Sequence, residues 1–273
     1  MSCCAPSRRI DGRAPSSGSA AWRIDADVDF RTAATAAIVN GQQTVGGYSW
    51  TGQNAATATT FRFLSGTGID YVSNASNTAW NAAPAFTACA LWISLNDTSL
   101  AADRRLLPNF DAARTYLFQI WNRDNNGNAA TEVVYFNLFQ VAGSPFAVAV
   151  DRVVGACRGG NATVAGGVGA NQGTSVPQLI GSYSARDVLA LVPSPGSQGV
   201  AMYCGTYDVA NDAWPANSDL ADCGSYQGSG LAATTSGNAH LWDPSMRLCI
   251  AFATGNTTAT FAATVQRLRV LSR

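Results

Sequence analysis

The sequence has 273 residues, with 17 basic and 17 acidic side chains, so its formal net charge is zero. Such a chain has no field to steer nucleic acid or an anionic membrane towards it, and we expect neither as a partner. Only 12% of the residues are charged while 47% are apolar, which indicates a sizeable core and a surface covered by neutral polar side chains.

Residues 1–20 are rich in Ser, Pro, Gly and Arg and hold almost nothing to bury. We expect them to form a flexible N-terminal arm, and residues 21–273 to form one β-sandwich domain. The arm is either a disordered tail or an attachment arm that orders against a partner through Arg8, Arg9 and Arg13. The N-terminus has no apolar signal-peptide core, so we expect no secretion signal and folding in a bacterial cytoplasm.

Alternating apolar and polar residues predict many β-strands. In WRIDADVDF, residues 22–30, the apolar residues from Trp22 to Phe30 share one face, and Asp25, Asp27 and Asp29 share the other. Further strands are predicted at 88–95, 116–123, 132–141, 146–154, 188–192, 200–209, 246–254 and 260–271. The segment 97–107 is predicted to form at most a short helix.

The stretch TTFRFLSGTGIDYV, residues 59–72, contains glycines that could belong to a phosphate loop or to a turn. A phosphate loop needs a helix directly after it, and none is predicted here. We therefore expect a strand, a turn and a strand, with Phe61 and Phe63 on one face. Gly66 and Gly68 would supply the positive φ angles of the turn.

The cysteines lack the paired spacing of a zinc site, so we expect no metal. Cys89 and Cys249 lie in apolar runs and are expected to be buried free thiols. Cys204 and Cys223 flank a loop. A reducing cytoplasm favours their reduced form, and an oxidising setting would allow them to pair.

The many strands, the glycine-rich loops and the lack of strand–helix alternation predict an all-β antiparallel sandwich. The order of the strands, with a long hairpin around Asn126-Gly127 and the closing strands MRLCIAFAT and FAATVQRLRVL, resembles the concanavalin A-like or laminin-G-like jelly-roll domains of tailed-bacteriophage virion proteins. The resemblance spans most of residues 22–271. It implies a structural or glycan-contacting role in a virion and carries over no binding residue.

Side chains suited to catalysis are scarce. Asp25, Asp27 and Asp29 have the same-face spacing that a glycoside hydrolase would use, but a charged outer face explains them better. The only histidine, His240, has no nucleophile elbow to serve. We therefore expect no enzyme, no catalytic residue and no cofactor.

The sequence DNNGNAATE, which begins at Asp124, partly matches a calcium loop. Tyr135 stands where a closing Glu would be required. A polar hairpin turn at Asn126-Gly127 explains the same residues, so we expect no calcium site.

The remaining candidates are aromatic and polar residues in the stretch 203–219, because sugar rings stack on Trp and Tyr while Asn and Asp bind hydroxyl groups. The candidate glycan contacts are Tyr203, Tyr207, Asp208, Asn211, Asp212 and Trp214. The alternative is that these aromatic residues pack the core or a subunit contact.

We interpret the chain as a structural component of a tailed-phage virion: a capsid decoration, head fibre, tail fibre or appendage protein that attaches through its arm. Its partners would be other virion proteins and further copies of itself, for example in a trimer. The alternative is a carbohydrate-binding, lectin-like module that contacts host surface glycans. A glycoside hydrolase or lyase would require Asp pairs that converge in space.

Overall fold

The computed structural model describes residues 21–54, 59–73, 89–111, 113–124, 132–139, 156–157, 163–166, 178–182, 188–193, 199–227, 247–254 and 261–273. Their strands are β1 (Arg23–Asp29), β2 (Ala36–Ala37), β3 (Gly41–Val45), β4 (Tyr48–Asn54), β5 (Thr59–Leu64), β6 (Gly68–Ser73), β7 (Cys89–Ser94), β8 (Tyr116–Asp124), β9 (Glu132–Phe139), β10 (Ala156–Cys157), β11 (Thr163–Gly166), β12 (Gln178–Ser182), β13 (Val188–Pro193), β14 (Gly199–Gly205), β15 (Ala221–Gln227), β16 (Arg247–Thr254) and β17 (Phe261–Ser272). The helical elements described are three 3-10 turns, at Phe30–Thr32, Ala102–Arg104 and Asn217–Asp219. None of these described turns approaches the length of a membrane-crossing helix.

The described strands form two antiparallel sheets. The nine-stranded sheet has the order β15-β14-β13-β8-β17-β6-β5-β2, and β1 also pairs with β17. The eight-stranded sheet has the order β12-β11-β10-β9-β16-β7-β4-β3. The chain passes repeatedly from one sheet to the other, since β4 and β7 lie in the second sheet while β5 and β6 lie in the first.

The hydrophobic core lies between the two sheets. The nine-stranded sheet contributes Phe118 and Leu268, and the eight-stranded sheet contributes Trp50, Leu91 and Ile250, all fully buried. Burial of each such side chain stabilises the fold by about 1.5–3 kcal/mol. The arrangement confirms the predicted all-β antiparallel sandwich.

The turn between β5 and β6 forms as predicted. Phe61 and Phe63 are buried on one face, and the two strands pair antiparallel. Gly66 and Gly68 have φ angles of +78° and +118°. A Cβ atom on Gly68 would collide with the carbonyl oxygen of Val265, so this position requires glycine for both its conformation and its space.

Strand β1 departs from the predicted alternation at its start. Its register with β17 shifts between Ile24 and Ala26, which marks a β-bulge. Ala26 and Val28 face the core as predicted, but Ile24 is 57% exposed and Trp22 packs against a second apolar cluster on the other face of the sheet. The predicted common face is therefore wrong at Trp22 and Ile24, because the bulge reverses the two-residue period.

The Asn-Gly turn signal does not join two paired strands. β8 pairs with β13 and β17, whereas β9 pairs with β10 and β16. The predicted hairpin around Asn126-Gly127 is therefore wrong, because strands distant in sequence occupy both edges of β8. Residues 125–131 themselves, with most of the calcium-like motif, lie outside the described residues.

The segment 97–107, predicted to form at most a short helix, contains the 3-10 turn Ala102–Arg104. The Asp97 carboxylate accepts hydrogen bonds from the backbone N–H of Ser99 at 3.0 Å and from its hydroxyl at 2.6 Å, which fixes a turn. Further on, the backbone N–H groups of Leu106 and Leu107 donate to carbonyl groups at the end of β7. The segment therefore folds back beside the eight-stranded sheet.

The structure confirms the prediction for two of the cysteines, which were expected to be buried. Cys89 and Cys249 are buried free thiols, and burial raises the pKa of Cys249 well above its usual range. The side chains of Cys204 and Cys223 lie outside the described residues, so their redox state remains a prediction.

Candidate functional site

Three aromatic side chains form one stack on the outer face of the nine-stranded sheet. Tyr207 lies over Trp121, with 3.7 Å between the ring centroids and 4° between the planes. Trp214 meets Tyr207 edge-on at 5.3 Å. Because Tyr207 is only 2% exposed and Trp121 only 3%, neither ring offers a face to a sugar.

The residues 206–220, called here the cover segment, bring Tyr207 and Trp214 onto this face. The segment begins after Gly205, the last residue of β14, and returns over it closely. A Cβ atom on Gly205 would lie 2.7 Å from Cδ2 of Leu220. Leu220 is fully buried in the apolar cluster that also contains Trp121, so the chain closes this face with its own residues.

Asp212 holds the cover segment against the sheet. Its carboxylate accepts hydrogen bonds from Arg31 at 2.7 and 3.1 Å and from the Tyr207 hydroxyl at 2.9 Å, and Arg267 lies 3.5 Å away. The hydrogen bonds from Arg31 are the largest cause that lowers the pKa of Asp212 to about 2. Its positive φ of 50° is one that Asp tolerates better than most residues.

Two further arginines surround the aromatic stack. The guanidinium of Arg267 lies 5.7 Å from the ring centroid of Trp214, and that of Arg269 lies 5.0 Å from it. Arg269 also donates to Oε1 of Gln119 at 2.8 and 2.6 Å, and burial lowers the pKa of Arg269 to about 10. These cations stabilise the stack through cation–π contacts and hydrogen bonds.

The other candidate glycan contacts lie around the stack. Asp208 and Asn211 form the exposed tip of the cover segment, where the Asp208 carboxylate accepts from the side-chain amide of Asn211 at 2.7 Å. Tyr203 is half-buried against the apolar cluster. The structure thus brings Tyr207, Asp212 and Trp214 together through contacts with one another, and leaves Asp208 and Asn211 open to solvent.

Each acidic residue of β1 faces an arginine. Asp25 pairs with Arg23 at 2.6 Å, Asp27 with Arg267 at 2.9 Å, and Asp29 with Arg31 at 2.7 Å. The side chains of Asp27 and Asp29 are 34% and 30% exposed, which agrees with the predicted charged outer face, whereas that of Asp25 is only 12% exposed. The predicted attachment residues Arg8, Arg9 and Arg13 lie outside the described residues, as does His240.

In contrast to the outer face of the nine-stranded sheet, the outer face of the eight-stranded sheet carries an open cavity of about 220 Å³. We call this cavity the polar cleft. Its lining residues are Gln42, Ser49, Thr51, Trp92, Ile93, Ser94, Leu100, Arg104 and Arg247. Trp92 is 9% exposed and lies on the outer face because Leu91 and Ile93, its neighbours in β7, belong to the core.

Three polar side chains of β3 and β4 are held in a fixed arrangement in the polar cleft. Gln42 stands opposite Thr51 in the β3–β4 register, and Thr51 stands opposite Trp92 in the β4–β7 register. The Gln42 side-chain amide donates to the Thr51 hydroxyl at 3.1 Å and accepts from the Ser49 hydroxyl at 2.8 Å. The cleft therefore presents an oriented amide and two hydroxyl groups beside an indole.

Two arginines contribute the charge of the polar cleft. Arg247 begins β16 opposite Ser94 of β7, and Arg104 ends the 3-10 turn described above. Burial, with the positive charge of Arg104 nearby, lowers the pKa of Arg247 although Asp97 opposes the shift. Among the described residues, no carboxylate lines this cavity.

Sequence reasoning missed the polar cleft entirely. The sequence predicts a strand over residues 88–95, which include Trp92, and it does not single out Trp92, Gln42, Ser49 or Thr51 as site residues. A single aromatic residue in the aliphatic run ACALWISL was the available signal. The cross-strand partners that turn this residue into a site are set by strand register, which alternation alone does not specify.

No family model and no curated protein matches the sequence. Among solved structures, the chain is similar to the CBM2 module of the evolved Dit of Lactobacillus casei BL23 phage J-1, at 13% identity over 92% of this chain and 95% of that one, with a TM-score of 0.46. It is also similar to an endo-1,3-beta-glucanase from Streptomyces sioyaensis (12% identity, 96% and 99%, TM-score 0.46) and to peanut lectin (11%, 88% and 98%, 0.35). Since these TM-scores are all below 0.5, the fold assignment rests on the chain's own sheet topology.

Proposed function

We propose that this chain is a non-enzymatic carbohydrate-binding, lectin-like module and that the polar cleft is its glycan site. One observation carries the proposal: Trp92 lines an open cleft together with the oriented amide of Gln42 and the hydroxyl groups of Ser49 and Thr51. An apolar ring surface beside a few fixed polar groups is the usual composition of a small-molecule site. A sugar ring needs both, because it has C–H faces and a rim of hydroxyl groups.

The cover segment is the weaker location for this function. Tyr207 is buried in the stack, and the carboxylate of Asp212 already accepts from Arg31 and Tyr207. A sugar there would have to replace contacts that stabilise the fold. The polar cleft is open in the folded state, so binding there requires no such rearrangement.

The pairing of Asp29 with Arg31 on β1 supports binding without hydrolysis. Burial raises the pKa of Asp29, but the hydrogen bonds from Arg31 outweigh this effect and leave the pKa below its usual value. A carboxylate held in its ionised form is a poor general acid, and a glycosidase needs one carboxyl group with a raised pKa.

A glycan panel screened with the full chain tests the proposal. Gln42→Ala removes the oriented amide and should abolish or strongly weaken any binding. Asn211→Ala is the matched control, since it truncates an exposed amide at the tip of the cover segment. Binding that survives Gln42→Ala and disappears with Asn211→Ala would move the site to the cover segment, and a panel without any binder would contradict the proposed function.

The second candidate is a structural subunit of a tailed-phage virion, which the low charged fraction and the sequence resemblance favour. Three apolar side chains with more than half their surface exposed, Ile24, Val39 and Val209, would suit subunit contacts. The two functions are compatible within one virion protein. Light scattering followed by pelleting with particles that lack the protein tests this candidate: a defined oligomer that pellets supports it, and a monomer that stays in solution contradicts it.

A further inference from the structure

The charge of the polar cleft narrows the class of ligand. Arg104 and Arg247 both line the cleft, and no carboxylate of the described residues does so. Arg104 forms no ion pair within 4.0 Å with any described residue. On the opposite face of the sandwich, by contrast, each of the guanidinium groups of Arg31 and Arg267 lies within 3 Å of an aspartate oxygen.

Asp97, an acid whose charge acts on Arg247, offsets part of this positive charge. Its carboxylate accepts two hydrogen bonds from Ser99 and lies close enough to Arg105 and Arg247 to feel both charges. Asp97 is therefore shared between two guanidinium groups and makes its own hydrogen bonds elsewhere. Of the described side chains that line the cleft, the two that carry a charge, Arg104 and Arg247, are both positive.

Arg247 is held where a positive charge is costly. It is half-buried at the edge of the cleft, and both its burial and the charge of Arg104 act against its protonated form. An anion between the two guanidinium groups would reduce the repulsion between them, because charges interact more strongly in a partly desolvated site than in water. The planar guanidinium group also matches the geometry of an oxyanion.

We propose that the glycan bound in the polar cleft is acidic, with an anionic substituent that lies between Arg104 and Arg247. This inference rests on the proposed glycan-binding function of the same cleft. The ring of the sugar would lie against Trp92, and its hydroxyl groups would contact the side chains of Gln42, Ser49 and Thr51. The shared chemistry of the substituent is an oxyanion, either a carboxylate or a sulfate ester.

The test compares ligands that differ only in charge. Trigalacturonate and its methyl ester share one sugar backbone, and calorimetry with the full chain should show roughly tenfold tighter binding of the acid. Galactose 6-sulfate and galactose, compared by ligand-observed NMR, distinguish a sulfate ester from a carboxylate as the source of the charge. Higher NaCl should weaken binding of the acidic member of each pair more than that of the neutral one.

Variants assign the preference to the cleft. Arg104→Gln should remove most of the difference between acid and ester, and Arg104→Lys should restore part of it. Arg23→Gln, which removes an exposed arginine of β1, should leave the difference unchanged. Equal binding of acid and ester, or a preference that survives Arg104→Gln, would overturn the proposal.

The experiments also distinguish failure of the acidic preference from failure of the proposed glycan-binding function. If only neutral sugars bind, and Gln42→Ala abolishes their binding, the cleft is a glycan site and the acidic preference is wrong. If neither member of any pair binds and the glycan panel is empty, the proposed function fails together with the acidic preference.

Discussion

The two outer faces of the sandwich carry similar kinds of side chains and use them differently. On the nine-stranded sheet, Trp121 is covered by Tyr207 and Trp214 of the cover segment, and arginines contact the rings of this stack. On the eight-stranded sheet, Trp92 and two arginines line an open cleft. Aromatic and charged residues therefore indicate a site only where they border an open cavity.

The largest expected effect lies on the closed face. Trp121→Ala removes the ring on which Tyr207 stacks and leaves a cavity beneath the cover segment. We expect the free energy of unfolding to fall by about 3–5 kcal/mol, measured by urea denaturation. A loss below about 1 kcal/mol would mean that the stack contributes little and that this face is not closed in the way described.

Gly205→Ala tests how closely the cover segment packs. The new methyl group would lie 2.7 Å from Cδ2 of Leu220 and 3.1 Å from Cγ of Pro215. We expect a loss of about 1–3 kcal/mol, because the segment must shift outwards. Hydrogen exchange should become faster in residues 206–220 and stay unchanged in residues 41–54, and uniform exchange rates would contradict the close packing.

The Asp212 contacts give the closed face a dependence on pH. The folded-state pKa of about 2 lies below the unfolded value of 3.8, so the stabilisation is complete above about pH 4 and is lost as the pH falls towards 2. The Asp212 side chain is 53% exposed, and solvent screening limits the effect to about 0.5–1 kcal/mol.

Asp212→Asn isolates this charge, since Asn also tolerates the positive φ. We expect the variant to be less stable than the wild type at pH 6 and equally stable near pH 2. The same difference in unfolding free energy at both pH values would show that the charge of Asp212 is not the cause.

The smallest change in stability is expected in the polar cleft. Thr51→Val removes the hydroxyl group that accepts from Gln42 and leaves the core untouched, so stability should stay within about 0.5 kcal/mol of the wild type. Glycan binding should weaken severalfold, because Gln42 loses one of its two fixed partners. Unchanged affinity would indicate that the ligand does not contact this side of the cleft.

The fold class could be predicted from the sequence, because an all-β sandwich depends on the alternation of apolar and polar residues and on the residues that form turns. The alternation placed Phe61 and Phe63 in the core, and the glycines at 66 and 68 marked the turn correctly. The predictions from the sequence were wrong where pairing between strands distant in the chain determines the structure. The bulge beside Ile24 and the crossing after β8 both depend on partners far along the chain.

The candidate sites were also hard to predict, because they depend on tertiary contacts that the local sequence does not specify. Composition drew attention to the stretch 203–219, which is rich in Tyr, Trp, Asp and Asn, but burial decides whether such residues are available, and burial is a tertiary property. The polar cleft is assembled from β3, β4, β7, β16 and one 3-10 turn. No local pattern in the sequence joins these elements.

Hydrogen exchange with and without the tightest glycan from the panel tests the central claim most directly. Binding in the polar cleft should slow exchange in residues 41–54 and 89–94 and leave the cover segment unchanged. Protection confined to residues 206–220 would contradict the account and show that the closed face opens to receive the sugar.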